Sequence, residues 1–347
     1  MFQRLVEMHF LITGHTGFKG TWLALMLWEL GHDVSGISLE PEPHSLFRRT
    51  GIEKNFTNDL RIDIRNIDNL RVAIHKISPD VVIHLAAQSL VRTSYREPVL
   101  TYETNVLGTL NVLEVTASTP SIKVQIIVTT DKVYRNEGGN KAFSELDPLG
   151  GDDPYSSSKA MADVLTQRWI RENSRPLTSI ARAGNVIGGG DICQDRLVPD
   201  LVNAYSNGVP PNLRFPNSVR PWQHVLDCLN GYISLTSYML KEQVNGIWNF
   251  GPDGEELVSV GSLAERMAIT WGTSEKWNLV ESQEMKEAPF LALNSSKSRA
   301  LLNWKNIYQT NEAIAMTANW YKQVIGGKTP EKVTRDQIRA FLKILSE

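Results

Sequence analysis

Apolar and polar positions change period repeatedly through the first half of the chain. Short apolar runs at 8–13, 33–39, 80–85, 124–129 and 177–182 have the length and β-branched content of strands. Between them, near 18–30, 67–77, 101–116 and 155–173, apolar residues recur at helical spacing. Strands alternating with helices predict an α/β fold, a doubly wound parallel sheet covered on both faces. Pro154, just ahead of the last of these helices, suits a helix start, where its missing N–H leaves nothing unpaired.

From Gly188 the texture shifts to Gly-, Pro- and Asn-rich loops between shorter elements, with GGGD at 188–191 and VPPN at 209–212. Such segments suit a lobe that wraps a ligand. The tail from Thr334 reads as one amphipathic helix, with Thr334 and Gln337 as a capping box and Ile338, Phe341, Leu342 and Leu345 on one face.

Composition narrows the function classes. The 347 residues carry 36 basic and 38 acidic side chains, 41% hydrophobic and 21% charged residues, a soluble globular balance that argues against nucleic acid as partner. The two cysteines, Cys193 and Cys228, have no metal-site or disulfide spacing, so no metal is expected and a reducing cytoplasm fits. The N-terminus places Arg4 and Glu7 ahead of a strand rather than a leader's apolar core. The apolar stretch 21–30 is too short to span a bilayer, so no membrane association is expected.

Directly after the first strand come Gly14, Thr16, Gly17, Phe18, Lys19 and Gly20, in the run TGHTGFKG that opens a helix. Glycines there permit a tight turn and close approach of a pyrophosphate, which the helix N-terminus attracts. This position within a βαβ unit gives residues 1–185 the pattern of a Rossmann-type dinucleotide-binding domain. Residues 186–347 are then mainly a smaller C-terminal α/β substrate lobe, with a chain that can cross back. Glu40, about twenty residues past the last glycine, can accept from the adenosine ribose, which favours NAD over NADP; Arg48 and Arg49 close by weaken that preference. Asp63 and Ile64 can face the adenine, and Leu85, Ala86, Ala87 and Gln88 end a strand beside the cofactor.

Tyr155 and Lys159 lie one helical turn apart. A tyrosine titrates near pH ~10 and needs a neighbouring cation to act as a base at neutral pH. The run Thr129-Thr130-Asp131-Lys132-Val133-Tyr134 ends a strand, where open α/β sheets bind ligands, and Thr130 can donate to the oxygen that Tyr155 deprotonates.

With these motifs, HLAAQ at 84–88, TNVLGT at 104–109, LGGDDPYSSSKA at 149–160, RAGNVIGGGD at 182–191, RPWQHV at 220–225 and WNFGP at 248–252 resemble the CDP-glucose 4,6-dehydratases, members of the extended short-chain dehydrogenase/reductase family. The resemblance implies a hydro-lyase with NAD as cofactor, Asn105 among its cofactor contacts, and a CDP-hexose as substrate. Tyr155 would take the C4 hydroxyl proton, Asp131 would protonate the departing C6 hydroxyl, and Lys132 would remove the C5 proton or stabilise the enolate. Gln88, Thr130, Asn185, Arg196, Arg220 and His224 match substrate contacts, Arg182 being a further arginine of the same stretch. The resemblance also implies deoxysugar biosynthesis, such as that of lipopolysaccharide O-antigen, and a homodimer built from helices 101–116 and 155–173, with Leu107, Val115, Met161 and Leu165 as candidate contacts.

One segment departs from the pattern. The family carries Trp-Gly-Tyr-Arg-Glu where this chain has Lys141-Ala142-Phe143-Ser144-Glu145, so a loop of these residues over the active site would alter the sugar or the reaction. A 4-epimerase or reductase of the same fold is the nearest rival, disfavoured by Asp131, since epimerases release no water. A non-catalytic NAD-binding sensor is disfavoured by the intact Thr130, Tyr155 and Lys159 set.

Overall fold

The computed structural model describes residues 6–252, 257–280 and 288–347, so Arg4 lies outside the described residues. Seven parallel strands form the central sheet: β1 (His9–Thr13), β2 (Asp33–Ser38), β3 (Asn58–Arg61), β4 (Val81–His84), β5 (Val124–Thr130), β6 (Leu177–Ala183) and β7 (Gly246–Phe250). Their order is β7-β6-β5-β4-β1-β2-β3. The direction of winding reverses between β1 and β4, which opens a crevice at the carboxyl ends of these strands.

Both sheet faces are covered. Along β1, Phe10 and Ile12 enter one apolar cluster and Leu11 the other, as alternation on a strand requires. The first cluster takes in helices α1 (Phe18–Glu29), α6 (Val225–Glu242) and α9 (Pro330–Ser346); the second takes in α2 (Ile67–Ile77) and α3 (Gly108–Ala117). Helix α4 (Pro154–Glu172) carries the YSSSK run, and α5 (Leu197–Ser206), α7 (Val260–Trp271) and α8 (Thr310–Ile325) belong to the C-terminal part. That part is not spatially separate from the sheet. Helix α6 packs on it, and β7 lies beside β6 with Trp248 opposite Ala181 and Phe250 opposite Ala183.

Two expected elements differ in detail. The stretch 101–116 is not one regular helix: Pro98–Tyr102 runs into a π-helical turn at Glu103–Leu107 and then into α3. The tail helix begins at Pro330 with Thr329 as its cap, so Thr334 and Gln337 are interior rather than capping. Thr334 Oγ1 donates to the Pro330 carbonyl and accepts from Trp320 Nε1, and Gln337 Nε2 donates to the Met316 carbonyl. A proline at the first helical position fixes the start earlier than the polar pattern suggested. A capping box does occur at α8, between Gln309 and Glu312. Among the described residues, no helix is long and apolar enough to cross a membrane.

Beneath the carboxyl ends of β5, β6 and β7 lies a buried polar network. Arg182 and Asp163 are fully buried and paired twice, Nε to Oδ2 at 2.8 Å and Nη2 to Oδ1 at 2.7 Å. Thr129 donates to Asp163 Oδ2 at 2.9 Å, Arg182 Nη1 donates to the Tyr134 hydroxyl at 2.8 Å, and that hydroxyl donates to Asn249 Oδ1 at 2.7 Å. One side chain from each of α4, β5, β6 and β7 is thereby held.

Removing one member of a buried pair strands the other charge, at a cost of about 3–5 kcal/mol. Arg182→Met should therefore lower the urea midpoint by that equivalent, and Arg182→Met with Asp163→Leu should cost less than the two single changes summed. Unchanged midpoints would show that the pair does not hold the sheet.

Candidate functional site

The crevice opens into a cavity of about 820 Å³ that runs from the glycine-rich turn, past the ends of β4 and β5, to residues 211–215 of the C-terminal part. At its first end the backbone is too close for side chains. Gly14 has φ +78°, and a Cβ there would lie 2.8 Å from Ala86 N; at Gly20 a Cβ would lie 2.3 Å from the Gly14 carbonyl oxygen. Gly17 caps α1 without a side-chain hydrogen bond, and the first turn holds no acid. The leading N–H groups of α1 thus face the cavity unopposed, which suits a diphosphate. Thr16, Phe18, Lys19, Asp63 and Ile64 line the same end.

The turn after β4 forms the next wall, with Leu85, Ala86, Ala87 and Gln88 lining the cavity. Thr13 Oγ1 anchors it, accepting from Ala86 N at 3.3 Å and sharing a hydrogen bond with His84 Nδ1 at 2.7 Å. Burial pushes His84 down to about 3, so it stays neutral. Asn105, expected to touch the cofactor, instead sits behind this wall. The π-helical turn directs it inward, fully buried, where it accepts from Gln88 N at 2.8 Å and donates to the Gln88 carbonyl and Ser158 Oγ, each at 2.9 Å.

Helix α4 starts where its sequence requires. Asp153 caps it by accepting from Ser156 N at 2.9 Å, Pro154 takes the first position, and Ser94 Oγ accepts from Tyr155 N at 3.1 Å. Tyr155 and Lys159 then both line the cavity. Burial pushes the Tyr155 phenol up to about 12, against the hydrogen bond with Thr130 and the charge of Arg196, which favour the phenolate. Lys159 Nζ donates to the Val128 carbonyl at 2.9 Å; burial and then the charge of Lys19 bring it down to about 8. Lys19 Nζ in turn donates to the Tyr232 hydroxyl at 2.9 Å.

Beyond Thr129, which lines the cavity as well, Thr130 donates to Asp131 Oδ1 at 2.9 Å. Asp131 is 2% exposed, and its Oδ2 has no hydrogen-bond partner among the described residues. Burial raises its pKa, with Lys132 and Arg220 pulling the other way. Lys132, half-buried, lines the cavity beside it. A buried acid that tends to keep its proton, next to a phenol and a lysine, is an arrangement for moving protons on a bound hydroxylated molecule.

Asn185, Arg196 and Arg220 complete the wall. Asn185 Oδ1 is buried with no partner among the described residues, and Arg196 donates to Asp191 Oδ2 at 2.9 Å and Ser89 Oγ at 2.7 Å. Arg182 is structural, committed to Asp163. His224 is fully buried away from the cavity, accepting from Leu226 N at the start of α6 and packed edge-on against Trp22 and Tyr308. Glu40 lies just outside the cavity lining, paired with Arg48 and Arg61. Sequence reasoning missed Arg92, Arg214 and Phe215, which also line the cavity; Arg92 follows the end of β4 closely enough for the strand-end rule to have marked it. The divergent segment does not cover the site. Phe143 is buried and stacks on Tyr134 at 5.0 Å, and Ser144 is tied to Asp147.

A family model described as GDP-mannose 4,6 dehydratase matches residues 11–317. The CDP-glucose 4,6-dehydratase of Salmonella typhimurium is 38% identical over 329 residues, covering 91% of each chain. The dTDP-glucose 4,6-dehydratase of Haemophilus influenzae is 26% identical, covering 90% of this chain and 98% of that one. Among solved structures, the dTDP-glucose 4,6-dehydratase of Bacillus anthracis in complex with NAD superposes with a TM-score of 0.80 at 24% identity, covering 93% of this chain and 99% of that chain. The UDP-glucose 4-epimerase of Thermotoga maritima with UDP-glucose gives a TM-score of 0.81 at 19% identity, covering 92% and 100%. The structural likenesses establish the fold alone, while the family match and the Salmonella relative establish descent: the chain belongs to the nucleotide-sugar 4,6-dehydratases, in the family that includes the CDP-glucose enzyme.

Proposed function

We propose that this protein converts CDP-glucose to CDP-4-keto-6-deoxyglucose with NAD held in the glycine-rich end of the cavity, acting in the cytoplasm for deoxysugar synthesis of the O-antigen kind. The observation that carries the reading is Asp131, a buried carboxyl with one oxygen unpartnered among the described residues, beside Thr130, Tyr155 and Lys132. An epimerase has no leaving hydroxyl and no use for such an acid. The 38% identity to a CDP-glucose enzyme supports the nucleotide.

The close-packed glycines and the uncapped start of α1 fit a dinucleotide diphosphate. The residues at this end would hold NAD, which when bound would supply hydride-transfer chemistry between C4 and C6 of the sugar. The chain's own residues do the rest. Thr130 orients the C4 hydroxyl and Tyr155 takes its proton, its phenolate favoured by Thr130 and Arg196. The resulting ketone acidifies the C5 hydrogen. Lys132, which lines the cavity beside Asp131, acts on C5 as base, returning the proton to C5 when C6 is reduced, or as electrostatic partner of the enolate, and Asp131 gives its proton to the departing C6 oxygen, which leaves as water. Arg196, Arg220 and Asn185 hold the diphosphate side of the sugar nucleotide.

Incubated with a panel of sugar nucleotides, the protein should remove one water from CDP-glucose, read by mass spectrometry. Turnover of another member of the panel in its place would reject the nucleotide assignment, and no turnover at all would favour a cofactor sensor.

Asp131→Asn should keep C4 oxidation, visible as transient NADH absorbance, while elimination slows by about 10²–10⁴-fold. Lys132→Ala should keep oxidation and lose exchange of the C5 hydrogen with solvent; wild-type exchange would remove Lys132 from the mechanism. Because the native pKa of Asp131 is raised above the ordinary 3.8, its ionisation opposes folding. That penalty is absent below the unfolded value and complete above the native one. Asp131→Asn should therefore raise Tm at pH 8, with the gain vanishing as the pH falls towards 4; a gain independent of pH would contradict the assignment.

The protein is also expected to dimerise through the face shared by α4 and the helical stretch before α3. Leu107 and Met161 are exposed there, joined by Val99 and Val164, whereas Val115 packs under the sheet and Leu165 is half-buried. Light scattering should give twice the chain mass at micromolar concentration, and monomer alone would reject the dimer.

A further inference from the structure

The segment 188–196 enters the cavity wall from a fixed base. The Gly189 carbonyl accepts from Trp22 Nε1 at 2.9 Å, a Cβ at Gly189 would overlap the Trp320 ring, and the Asp191 carbonyl accepts from the Tyr321 hydroxyl at 2.8 Å. Helices α1 and α8 thus set where Asp191 stands. Its carboxylate, on a residue only 7% exposed, is divided between two donors: Oδ1 accepts from Cys193 N at 3.1 Å and closes the turn, while Oδ2 accepts from Arg196 Nη1 at 2.9 Å.

The Arg196 guanidinium then reaches the opposite wall. Its Nη2 donates to Ser89 Oγ at 2.7 Å, just past the end of β4. A second bridge, of reversed polarity, joins the same two segments, Arg92 Nη1 pairing with Asp195 Oδ1 at 2.5 Å. Ser89, Arg92, Asp191, Asp195 and Arg196 all line the cavity. The Arg196 bridge has the buried anchor, since Arg92 and Asp195 are both about a third exposed.

We infer that Asp191 is a positioning residue for the substrate: from its buried seat it holds Arg196 across the crevice against Ser89, so that the other N–H groups of the guanidinium are presented to a diphosphate. The inference rests on the reading of this cavity as a sugar-nucleotide site and gives Asp191 a part in it through Arg196. A lone carboxylate on the wall of an anion site would repel the ligand, whereas one paired with Arg196 fixes the direction of the fork. A long side chain that must be ordered by the ligand weakens binding. Here the ordering precedes the ligand.

The test is calorimetric titration of CDP into NAD-loaded protein, alongside steady-state turnover of CDP-glucose, for wild type, Asp191→Asn, Arg196→Met and the double variant. Asp191→Asn should raise both the Kd of CDP and the KM of CDP-glucose by about 3–10-fold, the size expected when one long side chain must be ordered on binding, with kcat changed less. In the Arg196→Met background the same substitution should change Kd by less than about twofold. An unchanged Kd for Asp191→Asn, or the same factor in both backgrounds, would overturn the inference, because a carboxylate that only shapes the turn acts whether or not Arg196 is present. Ser89→Ala, which leaves that turn untouched, decides the matter if Asp191→Asn does not fold: it should weaken CDP binding in the wild-type background alone, and no weakening would count against the bridge. If wild type turns over a different sugar nucleotide, only the nucleotide assignment fails, and the same titration with that sugar's nucleoside diphosphate decides the inference. If wild type binds no nucleoside diphosphate at all, the reading of the cavity fails and the inference falls with it.

Discussion

The Arg182 guanidinium is the joint on which the working end of this molecule is assembled. A charge removed from water to full burial is tolerable only with matched partners, and here those partners come from four directions: Asp163 on α4, Tyr134 after β5, Asn249 on β7 through that tyrosine, and the backbone of the Phe143–Glu145 segment. Thr129 shares Asp163 with Arg182. The residue that immediately precedes Thr130 and Asp131 is therefore pinned to the same carboxylate that orients α4, the helix carrying Tyr155 and Lys159. The two halves of the proton-transfer apparatus have their relative position fixed from below, on rigid elements, while their upper sides face the cavity.

This explains why the divergent segment leaves the site intact. Phe143 and Glu145 look like loop residues, yet Phe143 stacks on Tyr134, its carbonyl accepts from Asn249, and Glu145 accepts from Asn249 N. The segment is a brace beneath the site.

Five of the seven strands, the helices between them and most of the cavity wall were legible in the chain because each rests on a local pattern: period-two or continuous apolar runs, period 3.6, a glycine turn, and Tyr and Lys one turn apart. What was not legible depends on contacts distant in sequence. Glycine, isoleucine, tryptophan and asparagine at 246–249 do not announce a strand, and β7 exists because β6 offers an edge. Asn105, in the π-helical turn, is taken up by Gln88 and Ser158, partners distant in sequence. His224 reads as a polar residue in a substrate motif, but the indole of Trp22 and ring of Tyr308 close around it. Glu40 was read with Arg48 and Arg49 near it in sequence, while nothing local shows that Arg61 approaches from the neighbouring strand.

The origin of β7 has a bearing on how the chain is made. Strands β1 to β6 are complete when residue 183 has been synthesised, but the outer edge of β6 stays uncovered until residues 246–250 follow. During that interval the nascent chain carries a seven-residue, fully buried-type strand with a bare hydrogen-bonding edge, the feature that invites pairing with other chains. Arg182 sits on that strand. Until Asn249 arrives to take the Tyr134 hydroxyl, the pair beneath it has no roof. The last strand to join therefore protects the sheet from strangers as much as it completes it, and the hazard on the ribosome is set by the sixty-odd residues that separate β6 from β7.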